Sequence, residues 1–381
     1  MAPTIGGTPD SPRPLGWRAM TTRTRGWRMG TLAGVPVYLG RSWLLIAAVV
    51  VLLLGPVVSR LQPGIGGWAY AAALGFAVLL LVSVLVHEAA HALVAQATGH
   101  RVTRIVADFW GGHTAYEGAD STPGRSALVA VAGPAANAVL AVVGWLLTPL
   151  VPTGGIPALL LAGFVWSNAF VAVFNLLPGL PLDGGFLVDA LVWRLSGSRG
   201  AGMLVAGWTG RLLTLGLVWW AIGLPVLQGQ QPTLTRLAYA VLIGSFLWVG
   251  ASDAVRVGRA RRALEGVRVA EVAVPLRLVP LDAPVGALGT PGEGTWVATG
   301  PDGAPAGLVD DAALARVPAH LRDGTPVAAV SVPQPPTWRL AADPGEDLTR
   351  VVVALQTHRL PAVVLLDPSG RPWGLVHARS L

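Results

Sequence analysis

Two histidines and a glutamate lie inside one of the most apolar stretches of the 381-residue chain, "VLVHEAAHALV" at residues 84–94. His87 and His91 are four residues apart, so on a helix their side chains lie on one face, about one turn apart. Two imidazoles at this spacing can bind one Zn²⁺ ion, and Glu88 is placed to take a proton from a water molecule at the metal. Because polar groups are costly in an apolar setting, the motif predicts a hydrolytic zinc centre rather than a pair of core histidines.

Such a zinc centre needs a third protein ligand and leaves a fourth position open. The chain has no cysteine, so the third ligand must be His, Asp or Glu. The favoured candidate is Asp183, in "FNLLPGLPLDGG" (174–185), because it follows an apolar helix interrupted by two prolines, and broken backbone at membrane depth lines polar cavities. The glycines at 184–185 would let the backbone approach the metal closely. A helix N-cap role for Asp183, and a ligand role for His113, are the alternatives.

The composition indicates that the elements carrying these residues lie in a membrane. Hydrophobic residues make up 53% of the sequence and charged residues 12%, whereas a soluble domain usually has about 25% charged residues. A helix needs about 20 apolar residues to cross a bilayer. The apolar runs predict six spans, at 42–59, 69–97, 126–149, 157–181, 207–228 and 234–254.

The arginines orient these spans. The arm at residues 1–41, the loops after the second and fourth spans, and the exit "RVGRARR" at 256–262 are all basic, whereas the outer loops carry little beyond Arg60. The positive-inside rule therefore predicts a multi-pass protein of the cell (inner) membrane with both termini in the cytoplasm. Arg211 is a functional candidate because it lies in an apolar run; we favour a position at the cytoplasmic end of a helix whose apolar part is 212–227. Nucleic-acid binding is not expected, because no basic patch is interleaved with aromatic residues.

The chain after the sixth span has a different character. Residues 266–381 are less apolar and contain turn signals such as "PDG" and "DPSG". They also contain an internal repeat, in which "WVATGPDGAPAGLVDDAAL" (296–314) aligns with "VVLLDPSGRPWGLVHARSL" (363–381). Each copy predicts a strand, a tight turn, a strand and the start of a helix. We therefore divide the chain into a basic cytoplasmic arm (1–41), a membrane domain (42–257) and a cytoplasmic α/β domain (258–381).

Three motifs together resemble the site-2 protease family of intramembrane zinc metalloproteases. They are "HEAAH", then "AGPAANAVL" (132–140), then "NLLPGLPLDGG" (175–185), in the family's order and spacing. The resemblance implies that His87, His91 and Asp183 bind one zinc ion and that Glu88 is the catalytic base.

The same resemblance suggests roles for two asparagines and one loop. Asn137 would hydrogen-bond the oxyanion or the substrate backbone, with a helix-packing contact as the alternative. Asn175 is a second candidate for the same role. The segment "VADFWGGHTAYEG" (106–118) resembles the family's sheet-like insertion, whose strand edge could pair with a substrate and unwind its helix. Phe186 departs from the family pattern, because an arginine is expected there.

The tail resembles a degenerate pair of cystathionine-beta-synthase (CBS) motifs. Such pairs often bind adenine nucleotides, but the family's hydroxyl and acidic positions correspond here to Asp310 and Ala313 in the first copy and to His377 and Ser380 in the second. The first copy also lacks the helix that "LTRVVVALQTHRLP" (348–361) provides in the second. Nucleotide binding at these positions is therefore doubtful, and a homodimer through the CBS-like pair is a further expectation.

The sequence therefore predicts a polytopic α-helical membrane protein with a small cytoplasmic α/β CBS-like domain. The predicted activity is zinc-dependent hydrolysis of peptide bonds in membrane-tethered proteins, such as a single-pass anti-sigma factor, modulated by the tail. The alternatives are a membrane transporter gated by the CBS-like tail, since broken helices and polar midplane residues suit transport too, and a non-catalytic membrane-protein binder.

Overall fold

Among the described residues, six helices are long and apolar enough to cross a membrane. The computed structural model describes residues 26–108, 111–117, 122–288 and 295–381, and the side chains of all of these except 108 and 111–117. The core of a bilayer offers no water to hydrogen-bond with backbone N–H and C=O groups. The apolar segments therefore form helices, in which these groups bond to one another. The predicted spans correspond to α1 (Trp43–Leu61), α2 (Trp68–Ala97), α3 (Pro123–Leu147), α4 (Gly155–Asn175), a helix beginning at Arg199, and one beginning at Leu234.

The first of two compact units comprises residues 26–117 and 132–173. It contains a four-stranded sheet of β1 (Gly26–Leu32), β2 (Val35–Gly40), β3 (Arg101–Asp108) and β4 (Gly111–Glu117), in that spatial order. The β1–β2 and β3–β4 pairs are antiparallel, and β2 pairs with β3 in parallel. The sheet-like insertion predicted at 106–118 is therefore confirmed over the described strands, with β4 at one edge of the sheet.

The end of the predicted arm is a structured part of this sheet. We expected residues 1–41 to be a basic arm with a disordered start and an approach along the membrane surface, whereas residues 26–40 form β1 and β2. Val35 of β2 and Ile105 of β3 pack with Ala92 of α2 in one buried cluster. This expectation was wrong for residues 26–40, because β2 pairs with a strand about 70 residues further along the chain, a partner that local pattern does not reveal. The sheet thus packs against α2 one residue beyond His91.

The second unit comprises residues 122–131, 174–288 and 295–381. Its helices are α5 (Asp183–Ser196), α6 (Arg199–Val218), a π-turn (Trp219–Gly223) leading into α7 (Leu224–Leu227), and α8 (Leu234–Glu265). α6 and α8 approach closely through small residues, since a Cβ on Gly207 would lie 2.9 Å from the carbonyl oxygen of Ala251.

The spans differ from prediction at their ends. The fourth ends at Asn175 rather than 181, the fifth begins at Arg199 rather than 207, and the sixth runs to Glu265, beyond the predicted domain boundary at 258. Apolar content marks only the depth of the membrane, whereas the helical hydrogen bonds of α6 and α8 continue into polar sequence.

Arg211 lies inside α6, twelve residues after its first residue, and not at a helix end as we predicted. Its guanidinium carbon lies 4.7 Å from the ring centroid of Trp208 and 5.3 Å from that of Trp248. It also donates a hydrogen bond to Ser252 Oγ at 3.2 Å. These contacts place the charge between two indoles on the α6–α8 pair.

The tail folds as two halves built on the predicted repeat. The first sheet contains β5 (Leu276–Pro280), β6 (Thr295–Thr299), β7 (Pro305–Val309) and β8 (Ser331–Pro333), and the second contains β9 (Arg339–Ala341), β10 (Ala362–Leu366) and β11 (Pro372–His377). In both halves a parallel pair, β5–β6 or β9–β10, is followed by an antiparallel pair, β6–β7 or β10–β11. The repeat is therefore confirmed.

The helices of the tail follow the prediction, except that the second copy ends in a 3₁₀ turn, at Ala378–Ser380, and that one short helix before the first strand was not predicted. A short helix α9 (Val269–Val272) precedes β5, α10 (Asp311–Arg316) follows β7, and α11 (Thr349–Thr357) connects β9 with β10. Between β5 and β6 the described residues hold only a 3₁₀ turn, at Val285–Ala287. The tail has two buried cores, one of them shared by Val297 of β6 with the second half, and among the described residues Trp338 is the largest fully buried side chain.

Candidate metal centre

His87 and His91 face one another on α2, as their spacing predicts. Their Nε2 atoms are 3.0 Å apart, and the ring planes are inclined at 81°. Two nitrogens that each lie about 2.0–2.1 Å from one zinc ion are at most about 4.1 Å apart. The two imidazoles are therefore close enough to share one ion.

Glu88 belongs to the same buried cluster. The ligating atoms of His87, Glu88 and His91 all lie within 4.8 Å of one another. The three residues are only 7%, 5% and 9% exposed, respectively. Three ionisable groups in so small a buried volume have a high desolvation cost, which a cation among them would offset.

Asn137 is held against the other nitrogen of His87. Its Oδ1 lies 2.5 Å from His87 Nδ1, and its Nδ2 donates to Asn168 Oδ1 at 2.7 Å. Asn168 Nδ2 in turn donates to the backbone carbonyl of Phe164 at 2.8 Å and to Ser83 Oγ at 3.0 Å. Asn137 and Asn168 are each 1% exposed, so this polar chain is closed to solvent.

The polar chain determines the tautomer of His87. A backbone carbonyl can only accept, so the group of Asn168 that faces Phe164 O must be its NH₂. Asn168 therefore presents its oxygen to Asn137, and Asn137 presents its own oxygen to His87, so that Nδ1 of His87 carries the proton. The lone pair of Nε2 then faces His91, as metal ligation requires.

The structure shows contacts of Asn137 with two other buried side chains. We expected its side chain to bind the oxyanion or the substrate backbone, or to make a helix-packing contact, and its amide is hydrogen-bonded to His87 at one end and to Asn168 at the other. This geometry suits a positioning role toward His87, and the substrate role of Asn137 stays a prediction. Our reasoning from the sequence missed Asn168 and Ser83. The signal was an asparagine inside an apolar span, at "VWSNAF".

Gly133 makes room for the ion. A Cβ built on Gly133 would collide with Nε2 of both His87 and His91. The "GPAAN" motif thus acts on both sides of His87, because Gly133 leaves space at Nε2 and Asn137 binds Nδ1 one helical turn later. A space that a single methyl group would fill, lined by two imidazoles with the carboxylate of Glu88 within 4.8 Å of their nitrogens, fits a small cation that takes nitrogen and oxygen ligands, such as zinc.

The remaining predicted residues lie elsewhere. Asp183 is the first residue of α5, in the second unit, with Leu182 rather than Asp183 at the N-cap. A Cβ on Gly184 or Gly185 would collide with backbone atoms of residues 176–180, so these glycines let α5 pack on the turn before it rather than being explained by a metal alone. Phe186 is 38% exposed. The ligand role of Asp183 stays a prediction, as does the oxyanion role of Asn175, the last residue of α4.

Among the described side chains, His100 lies outside the cluster. His100 lies just beyond the end of α2, where its Nδ1 contacts Thr98 Oγ1 at 3.0 Å and the carbonyl of Ala95 at 3.3 Å. These contacts hold the His100 ring at the C-terminal end of α2. The side chain of His113 lies outside the described residues.

The chain matches peptidase family M50 over residues 75–154. Two relatives carry the name "Putative zinc metalloprotease": sll0528 of Synechocystis sp., 30% identical over 93% of this chain and 94% of its own length, and Rip3 of Mycobacterium tuberculosis, 33% identical over 64% and 62%. Among solved structures, the site-2 protease from Methanocaldococcus jannaschii is 20% identical and covers 61% of this chain and 95% of its own, with a TM-score of 0.42. The CBS domain of a membrane protein from Sphaerobacter thermophilus is 18% identical over 34% of this chain and 94% of its own, with a TM-score of 0.25.

Proposed function

The chain belongs to peptidase family M50, the zinc metalloproteases of the site-2 protease type, and we propose that it hydrolyses peptide bonds in the membrane segments of membrane-tethered proteins. The observation that supports this best is the centre on α2. Two imidazole Nε2 atoms 3.0 Å apart, one with its tautomer set by Asn137, lie beside a buried carboxylate in a span-length helix.

In this proposal His87, His91 and Asp183 hold one zinc ion per chain. When bound, zinc supplies Lewis acidity that polarises a peptide carbonyl and makes water easier to deprotonate. The carboxylate of Glu88 takes a proton from the attacking water and gives it to the leaving peptide nitrogen. Asn137, Asn168 and Ser83 keep Nε2 of His87 unprotonated and its ring in one orientation.

The proposed substrate is a single-pass membrane protein, such as an anti-sigma factor. A peptide bond inside a helix is shielded, so the substrate helix must unwind before hydrolysis. β4 lies at the edge of its sheet, and the described strands pair with it only through β3. An extended segment of substrate could add to that edge through backbone hydrogen bonds.

We further propose that both termini lie in the cytoplasm of the cell and that the tail modulates cleavage. The arginine-rich loops support this orientation. The histidines of the tail, His320, His358 and His377, do not have the spacing of zinc ligands. We therefore propose that the tail regulates cleavage and takes no part in the chemistry. Pairing of two tails in a homodimer belongs to the same proposal, and adenine nucleotide binding at Asp310, Ala313, His377 and Ser380 is expected to be weak.

The test compares the wild-type chain with Glu88→Gln, co-expressed with tagged single-pass proteins. Glu88→Gln should retain zinc and lose cleavage, because the base is not a ligand, whereas Asp183→Ala should lose most of the zinc. Glu271→Gln, at an exposed position of α9, is the matched control. Identical fragments from wild type and Glu88→Gln would instead favour a non-catalytic binder or a gated transporter, and normal zinc content in Asp183→Ala would remove that residue from the ligand set.

A further inference from the structure

A polar cavity of about 670 Å³ lies where the second unit's helices meet the second half of the tail. Its walls come from the α5–α6 connection, from the last turns of α8, and from the residues at the start of α11. This volume is in the range of pockets that bind small molecules, about 300–1,000 Å³. None of the residues that line the cavity belongs to the centre on α2 or to the four CBS-motif positions discussed above.

Each carboxylate in the cavity wall already has a hydrogen-bond partner. Glu265 accepts from the hydroxyl of Ser198 and, at 2.8 Å, from the backbone N–H of Gly200, which caps the start of α6. Glu346 forms a 3.1 Å ion pair with Arg350. The third carboxylate, Asp347, accepts from the backbone N–H of Thr349 at 2.9 Å.

Two arginines in the wall have no such partner. Within the described part of the chain, neither Arg199 nor Arg261 forms an ion pair with a carboxylate, and the Nε atom of Arg199 is buried without a hydrogen bond. The guanidinium of Arg199 lies over the indole of Trp193, 4.9 Å from the ring centroid. The hydroxyl of Thr349 is also buried without a partner. Asp189 attracts both guanidinium groups and Glu265 attracts that of Arg261, although neither carboxylate forms an ion pair with them in the described residues. The donors of the cavity without a hydrogen-bond partner are therefore two guanidinium groups and one hydroxyl.

We propose that this cavity binds a small phosphate-bearing anion of about mononucleotide size, through Arg199, Arg261 and Thr349. Planar guanidinium groups suit phosphate oxygens because they can donate two parallel hydrogen bonds. An anion would also relieve the repulsion between the two arginines. The phosphate can belong to a soluble molecule or to a lipid headgroup, since both offer the same oxygens.

Because α5 runs from Asp183 to the wall of the cavity, a ligand bound there could affect the position of α5. α5 begins at Asp183 and ends at Ser196 in the cavity wall, about 20 Å away at 1.5 Å per residue. A ligand held between the tail and this end of α5 would favour one arrangement of the helix. Its effect on cleavage rests on the proposed function, whereas its binding does not.

The binding test uses full-length protein purified in non-ionic detergent and calorimetry with ATP, AMP and pyrophosphate, together with reconstitution into bilayers of phosphatidylcholine with or without phosphatidylglycerol. We expect a soluble probe to bind at millimolar concentration or tighter, and Arg261→Gln or Arg199→Gln to weaken it at least tenfold. Arg259→Gln, exposed on the same turn of α8, and Arg194→Gln, exposed on α5, should bind as wild type.

Thr349→Val provides a variant that keeps the shape of the side chain. Because its hydroxyl has no partner, this change should leave folding intact and still weaken binding. Thermal stabilisation by phosphatidylglycerol alone, lost in Arg261→Gln, would identify the anion as a headgroup. Absence of binding to every probe, or binding that Ser380→Ala abolishes and Arg261→Gln does not, would overturn the proposal.

Discussion

At the residue scale, the tautomer of His87, a proposed zinc ligand, is decided by side chains and a backbone carbonyl outside the proposed ligand set. His87 receives its tautomer from Asn137, which receives its orientation from Asn168, which is set by the carbonyl of Phe164. Ser83 completes this chain, and its own hydroxyl donates to the carbonyl of Leu79 at 2.9 Å. Because a backbone carbonyl can only accept hydrogen bonds, the side-chain amides of Asn137 and Asn168 each have one orientation that satisfies all of these hydrogen bonds.

Gly133→Ala should strongly weaken zinc binding without unfolding the protein. The added methyl group would occupy the space at Nε2 of both histidines, while alanine favours helix more than glycine does. We expect zinc affinity to fall by about 100-fold or more, beyond the 10–100-fold that is typical for a lost outer-shell contact. Metal analysis after dialysis measures this. Gly124→Ala, in the same helix with open space around its Cβ, is the control, and full zinc content in Gly133→Ala would contradict the proposed space for the ion.

Asn168→Ala should reduce cleavage although residue 168 touches neither zinc nor substrate. Without Asn168, the amide of Asn137 can rotate and offer its NH₂ to His87, which favours the wrong tautomer. We expect kcat/KM or zinc affinity to fall by about 10–100-fold. Ser167→Ala, which removes a hydrogen bond to the same carbonyl of Phe164, should have little effect. Equal losses in the two variants would show that helix packing, not tautomer control, explains the result.

At the element scale, α5 connects three features of the molecule. It carries Asp183 at its first residue and reaches the phosphate cavity at its last. Between them, the carboxyl of Asp189 is 1% exposed and lies against Gly202 of α6. Burial raises the pKa of Asp189 to about 6, although Arg199 and Arg261 attract its charge. The packing of α5 on α6 is therefore sensitive to pH.

Asp189→Asn should stabilise the protein at pH 7.5 and have a smaller effect at pH 5. The folded pKa is about 6 and the unfolded value about 3.8, so the folded state binds more protons between these values. The contribution of Asp189 to the free energy of unfolding therefore falls as pH rises from about 3.8 to about 6, and it is lowest above that window. We expect the thermal midpoint at pH 7.5 to rise by a few degrees, with exposed Asp282→Asn as the control. A lower midpoint would show that attraction to the two arginines outweighs the cost of burial.

At the scale of the whole molecule, the open question is which side of the membrane each loop faces. If each of the six membrane-length helices among the described residues crosses the bilayer once, residues before α1 and after α8 are predicted to lie on the same side. The basic exit of α8 then predicts that this side is the cytoplasm. The chain has no cysteine, so any cysteine that is introduced is the only one to react.

Cysteine at Gln230 should react with an impermeant thiol reagent in intact cells, and cysteine at Ala260 only after the membrane is opened. Both positions are exposed, in the α7–α8 loop and near the end of α8. Ser198 and Gly99 are poorer sites, because Ser198 caps α6 and Gly99 has a φ of +88°. Labelling of a cysteine at position 260 in intact cells would contradict the predicted orientation and indicate the opposite one.

The sequence alone determined those features whose causes are local in the chain. The spacing of His87, Glu88 and His91 defines one helix face, the apolar runs define six spans, and the repeat in the tail defines two similar halves. The first two depend on residues within one element, and each copy of the repeat is a continuous stretch of the chain that can be compared with the other directly. Neighbours in sequence are enough to satisfy the helical hydrogen bonds or to create an apolar face.

Only the tertiary structure decided the features made by residues far apart. Ser83 and Asn168 are 85 positions apart, and β2 pairs with a strand that follows the second span. Gly133 matters because another helix brings two imidazoles to it, and the phosphate cavity joins residues from 193 to 350. Which polar group meets which is set by how the helices pack in three dimensions, so it appears in no local period of the sequence, and it decides the tautomer at the metal.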